Sequence, residues 1–248
     1  MRLDDTTCRS LRLAALCGAA LVAGACSGSG DSPTRPRTPA DTLQLTSAQV
    51  GALDSAGQEI VRANPGNVDL EAFADSTLAV FTAGIRAVRV DVSTDLTTHP
   101  LYLVGIHRAA TTMQGSFSTW TLVALDSPDT LGNVIEVSGF AQSGGSTPPA
   151  SVSGTIGDGS GIVNALLLQV GSGGQVSEWY ANAGTVSFSS DAPGAPCPNF
   201  TPTPTVTCAL ETMHVKFDAT APSATAGTRH ASVATVVSVP AMRLTYTP

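Results

Sequence analysis

Met213-His214-Val215-Lys216-Phe217-Asp218 runs apolar, polar, apolar, polar, apolar, polar, which is the two-residue period of a half-buried β-strand. Val88-Arg89-Val90-Asp91-Val92 shows the same alternation much earlier in the chain. Between and beyond these two segments the period and the turn residues predict strands at 101–108, 117–125, 133–141, 151–156, 162–170, 176–181, 185–189, 230–239 and 243–247. Gly157-Asp158-Gly159-Ser160-Gly161 and Gly171-Ser172-Gly173-Gly174 are short connections whose glycines suit positive φ, and the first reads as a hairpin tip. Neighbouring strands are therefore expected to be antiparallel, and 85–248 reads as an antiparallel β-sandwich or barrel. No fixed-period repeat is present to indicate a propeller or solenoid.

Ahead of the strands the period is 3.6. Thr46 and Gln49 form a capping-box pair, with Leu45 and Val50 placed as a hydrophobic staple, and Val50, Leu53, Gly57, Ile60 and Val61 line one face of a helix. Asn64-Pro65-Gly66 stops it. A second helix begins after Asn67, with Asp69 and Glu71 at the positive end of its dipole and Leu70, Phe73, Ala74, Thr77, Leu78 and Phe81 on one stripe. The expected domain is thus mainly β (α+β), a helical hairpin over 42–84 followed by the β region, in one globular unit over 42–248.

Composition narrows the partners. Only 12% of the 248 residues are charged, the formal net charge is −7, and eleven of the twelve basic residues are Arg, with Lys216 the one lysine. An acidic, weakly charged chain is a poor match for nucleic acid or anionic lipid headgroups. From Ser27 to Asp41 the chain reads SGSGDSPTRPRTPAD, with no large apolar side chain, and is expected to be a tether over 26–41.

Residues 1–25 combine Arg2, Arg9 and Arg12 with a short apolar run from Leu13 and end in Ala23-Gly24-Ala25 before Cys26. The run is too short for a permanent membrane span. This segment resembles a bacterial lipoprotein signal, although Ala23 stands where that family most often has Leu. The resemblance implies that Cys26 is lipidated, becomes the mature N-terminus and attaches the chain to the membrane. Ser27, rather than Asp, then implies the outer membrane. Ala23-Gly24-Ala25 also satisfies the ordinary A-x-A rule, so a soluble exported protein cut at the same bond is the alternative.

Of the five cysteines, Cys8 and Cys17 leave with such a signal, and acylating Cys26 leaves Cys197 and Cys208 as an even pair. They flank a Pro- and Thr-rich stretch with little apolar content, and a disulfide closing it is expected to stabilise by about 3 kcal/mol. The spacing is neither C-x-x-C nor that of a zinc site.

The chemistry-bearing residues are dispersed. His99, His107, His214 and His230 form no H-E-x-x-H or H-x-H pair and are expected in surface or turn roles. Neither a nucleophile elbow nor a phosphate loop occurs, so no catalytic residue, cofactor or metal site is assigned. Asp91 with Asp95 and Asp126 with Asp129 are acidic loop pairs, too few in oxygens for calcium and ordinary in turns. Asn199-Phe200-Thr201 is a glycosylation sequon that a bacterial origin makes coincidental. Trp120, Trp179 and Tyr180 are candidates for a binding surface, with core packing as the competing role; alternation places Trp179 and Tyr180 on opposite faces.

The function expected on these grounds is that of a non-catalytic binding or structural module of the cell envelope, contacting a protein or a glycan. A β-barrel carrier of a small apolar ligand is the alternative, and a hydrolase with dispersed Asp and His the remote one.

Overall fold

The computed structural model describes residues 41–127, 131–223 and 226–247. The readings for the signal, for most of the tether and for Asp129 lie outside the described residues. Among those described, β1 (Thr42–Leu43) precedes two helices, α1 (Ser47–Ala63) and α2 (Val68–Thr82). Then come β2 (Ala87–Val90), β3 (Ser93–Thr94), β4 (Leu101–Thr112), β5 (Gly115–Leu125), β6 (Asn133–Ser143) and β7 (Ser151–Ile156). The rest are β8 (Val163–Val170), β9 (Val176–Tyr180), β10 (Ala183–Ser190), β11 (Val206–Ala221) and β12 (Arg229–Tyr246). The chain is mainly β, and its principal strands form one curled, half-barrel sheet in the order β7-β10-β11-β12-β4-β5-β6-β8-β9.

Local chemistry sets the helix ends. Thr46 Oγ1 accepts from the Gln49 backbone N–H at 3.3 Å, and Gln49 Oε1 accepts from the Thr46 N–H at 3.0 Å, so both arms of the capping box are made. Asn64 closes α1, and Asn67 caps α2 by accepting from the Leu70 N–H at 3.2 Å. Gly57 is where the helices meet: a Cβ there would lie 3.3 Å from the Ala74 Cβ.

The two sheet faces bury separate clusters. Leu103, Trp120, Leu122, Val137, Leu167, Trp179, Phe188, Phe217 and Val239 share the inner face of the curl. On the outer face Val104, Ile106, Val123, Val134, Leu168 and Met242 pack with Leu53, Ile60, Leu70, Phe73 and Val80 of the helices. Burial on both faces explains the unbroken apolar stretches Leu101–Val104 of β4 and Leu122–Leu125 of β5. Cys197 and Cys208 are joined by a disulfide, their Cα atoms 5.5 Å apart, tying the segment after β10 to β11.

Three expectations are corrected. First, the sheet is not wholly antiparallel, because β12 pairs with β4 in parallel, from Ala241 opposite Gly105 to Tyr246 opposite Ala110. Tight turns dictate the sense only of strands that follow one another, and these two are far apart in sequence. Second, Gly157–Gly161 is not a hairpin tip. β7 pairs with β10, whereas β8 pairs with β6 and β9, so the loop crosses from one end of the strand order towards the other. Third, 230–239 and 243–247 belong to one strand, β12. Pro240 lies within it, on a stretch that pairs with β11 but precedes the ladder to β4, where a missing N–H is tolerated.

Candidate binding face

Outward-facing residues of β4, β5, β6, β8 and β9, with the end of β12 beside β4, form a surface beyond the helices. The registers set Arg108 opposite Thr119 and Ala110 opposite Phe117, then Thr119 opposite Phe140, Ser138 opposite Asn164, and Leu166 opposite Tyr180. Three large side chains stand out of it: Phe140 is 42% exposed, Tyr180 50% and Tyr246 37%. Isolated exposed apolar groups are ordinary, but these share one face, and Phe117 supports Phe140 with ring centroids 6.5 Å apart.

Two clefts open on this face. One, of about 480 Å³, is lined by Arg108, Ala110, Phe117, Thr119 and Tyr246 and is largely apolar. The other, of about 390 Å³, is lined by Asp69, Glu136, Ser138, Asn164 and Tyr180. α2 builds one wall of this second cleft, since its first turn projects Asp69 towards β9. The Tyr180 hydroxyl lies 3.1 Å from Asp69 Oδ2 and 2.9 Å from Glu178 Oε2, and Asn67 Nδ2 donates to Glu178 Oε1 at 2.8 Å. One phenolic proton serves two carboxylates. Desolvation, then those hydrogen bonds and charges, push the Tyr180 phenol up.

Glu136 is the most perturbed carboxyl on the face. Burial first and the Asp69 charge second push it up to about 7, against the opposing pull of Arg108. The Arg108 guanidinium is itself engaged, donating to Ser76 Oγ on α2 at 3.0 Å.

Of the candidates for a binding surface, Trp120 and Trp179 take the core role instead: they are buried, at 0% and 1% exposure. Trp120 shares strand parity with Leu122 and Ala124, which face inward, and its N–H donates to Ser190 Oγ at 3.0 Å. Trp179 donates to the Gly227 carbonyl at 3.1 Å and carries the Arg229 guanidinium over its ring at 5.1 Å. Tyr180, one residue on, points outward. With both indole N–H groups satisfied inside, the Trp side chains fill the curl and present nothing to a partner.

His107 also departs from its expected surface role. It is fully buried on the inner face of β4, with Nδ1 at 2.9 and 3.1 Å from the two Glu211 oxygens, stacked on Trp120 at 4.8 Å, and with Nε2 unpartnered. Arg243 stands 3.8 Å from the same carboxylate. The signal was available in the parity of Leu101 and Leu103, which puts position 107 inside, but its partner lies 104 residues away. His214 pairs with Asp191 at 3.1 Å and Ser238 at 2.9 Å, and His230 with Asp218 at 2.9 Å, each at the surface. Of the acidic loop residues, Asp126 accepts from the Asn133 backbone and side chain across its own loop, and Asp95 accepts from the His230 N–H at the start of β12. Among the described residues no three His, Cys, Asp or Glu side chains gather as a metal-binding group.

No protein-family model matches the sequence, and no curated protein or solved structure matches it.

Proposed function

We propose that this chain is an exported, lipid-anchored module of the cell envelope that binds a partner through the outer face around Phe140, Tyr180 and Tyr246. The observation that carries this reading is the contrast between a filled interior and an aromatic exterior. Inside, a single added methyl at Gly105 would fall 2.8 Å from Met213 Cε, and one at Gly139 would fall 2.7 Å from Val152 Cγ1. Such an interior suits an incomplete barrel packed by its own side chains, with α1 and α2 as a hairpin across its outer face, and not a carrier's cavity.

Anchoring rests on the resemblance at Ala23-Gly24-Ala25-Cys26, together with the pairing of Cys197 with Cys208, which leaves Cys26 free for a lipid. The test uses the full chain in its own cell. Cys26→Ser should move the protein from the membrane to the soluble fraction, and unchanged retention overturns the anchor. A photo-crosslinking residue at position 140 should capture an envelope neighbour that one at exposed Val236 does not. Equal capture from both positions refutes the binding face, and native mass spectrometry showing a bound small molecule inside the chain would favour the carrier.

A further inference from the structure

We infer that the partner of this face is a cationic polypeptide segment that sets a lysine or arginine into the cleft between Asp69, Glu136 and Tyr180 and an apolar side chain against Phe140. The inference rests on the binding-module reading and names the chemistry of what is bound.

Charge complementarity carries it. The face presents the carboxylates of Asp69, Glu136 and Glu178 against one guanidinium, Arg108, and that group is already held by Ser76. Among the described residues, the side-chain donors hydrogen-bonded to Asp69 and Glu178 are the Tyr180 hydroxyl and the Asn67 amide, so carboxylate acceptors outnumber donors. Burial and Asp69 push Glu136 up to about 7, outweighing the opposing pull of Arg108. An ammonium or guanidinium supplies several donors and the missing positive charge at once, and the adjoining Tyr180 ring favours a cation.

Spacing adds a second requirement. Glu136 and Phe140 are four residues apart on one strand and face the same side, so they stand about 13 Å apart. A partner must therefore offer its basic and apolar groups at that separation, which three or four residues of an extended polypeptide do. A neutral glycan would stack on the aromatic rings and leave the excess of carboxylates unanswered. The whole chain, at formal charge −7, also steers cationic segments towards itself.

The experiment measures fluorescence anisotropy of a labelled peptide, phenylalanine-glycine-lysine repeated three times, with the detergent-solubilised full chain. A peptide with glutamate replacing lysine and an N-acetylglucosamine oligomer are run beside it. The expected result is saturable binding of the lysine peptide, weakened at least tenfold in the Asp69→Asn/Glu136→Gln variant and by raised salt, with no binding of the glutamate peptide. Phe140→Ser, at an exposed site that does not threaten folding, should weaken it as well. Equal binding by wild type and both variants overturns the inference. So does binding of the oligosaccharide or the glutamate peptide alone, although the face then remains a binding surface of different chemistry. If no probe binds while position 140 still crosslinks to an envelope neighbour, the cationic partner is refuted and the binding module stands. Loss of the crosslink as well removes both.

Discussion

Replacing Glu136 by Gln should stabilise the protein at alkaline pH and change it little in acid. In the folded chain the carboxyl is pushed up to about 7 from an ordinary 4.5, because burial and the neighbouring Asp69 penalise its charge. A raised pKa means that the native state holds its proton more tightly than the unfolded chain, so the stability it contributes is complete below about pH 4.5. That contribution is lost as the pH climbs through about 7, where the folded protein must ionise a group in an unfavourable place. The shift of about 2.5 units corresponds to roughly 3 kcal/mol, and the cleft's opening to water reduces this to about 1–3 kcal/mol. Gln cannot ionise. Thermal melts of wild type and Glu136→Gln between pH 4 and 9 should therefore coincide at the acid end, diverge between about pH 4.5 and 7, and stay apart above that, with the variant higher by roughly 3–9 °C for a domain of this size. A difference that is flat across the range, or a variant less stable at pH 8.5, would refute the assigned environment of Glu136.

Loss of the disulfide through Cys197→Ala should lower the melting temperature by the equivalent of about 2–3 kcal/mol, because an 11-residue separation is freed in the unfolded chain; a melt unchanged from wild type would show that the bond does not constrain it. Gly105→Ala adds a methyl 2.8 Å from Met213 Cε and 2.9 Å from the Ala241 Cβ, and chemical denaturation should reveal a loss of about 1–3 kcal/mol. A neutral result would mean the inner face is looser than described. Glu211→Ala leaves His107 and Arg243 without their shared carboxylate in the core, and the same assay should show a loss of about 3–5 kcal/mol, far beyond that of Asp191→Ala beside surface His214.

What was legible in the sequence is what local chemistry determines. The Thr46–Gln49 box and the Asn67 cap depend on atoms three residues apart, so both helix starts are readable from a few letters. Alternation likewise placed most strands to within a few residues. Pairing is different in kind: nothing near Arg229–Tyr246 signals that its second half lies beside β4, or that β7 joins β10 and not β8, because those choices are made by packing across the whole sheet. At the candidate face the same division holds. Parity separates Trp179 from Tyr180, yet the outward direction of Tyr180 follows from where α2 lands, with Asp69 and Asn67 reaching β9. Glu136 carries no such sign, since a lone glutamate between Ile135 and Val137 bears no mark of the aspartate that will face it.

The parallel seam between β12 and β4 joins residues 136 positions apart, Gly105 and Ala241. Until Ala241–Tyr246 arrives, the edge of β4 from Gly105 onward stays open, and no backbone ladder joins the halves of the sheet on either side of that edge. Contacts of such long range make folding slow and late. On the export proposed above, this delay is useful: a chain crossing a membrane as an extended thread has no complete structure to lock into as its first portion emerges, so transport stays ahead of folding. The same delay leaves β4 exposed as an aggregation-prone edge during synthesis, and makes this segment the one a holding chaperone would most profitably cover.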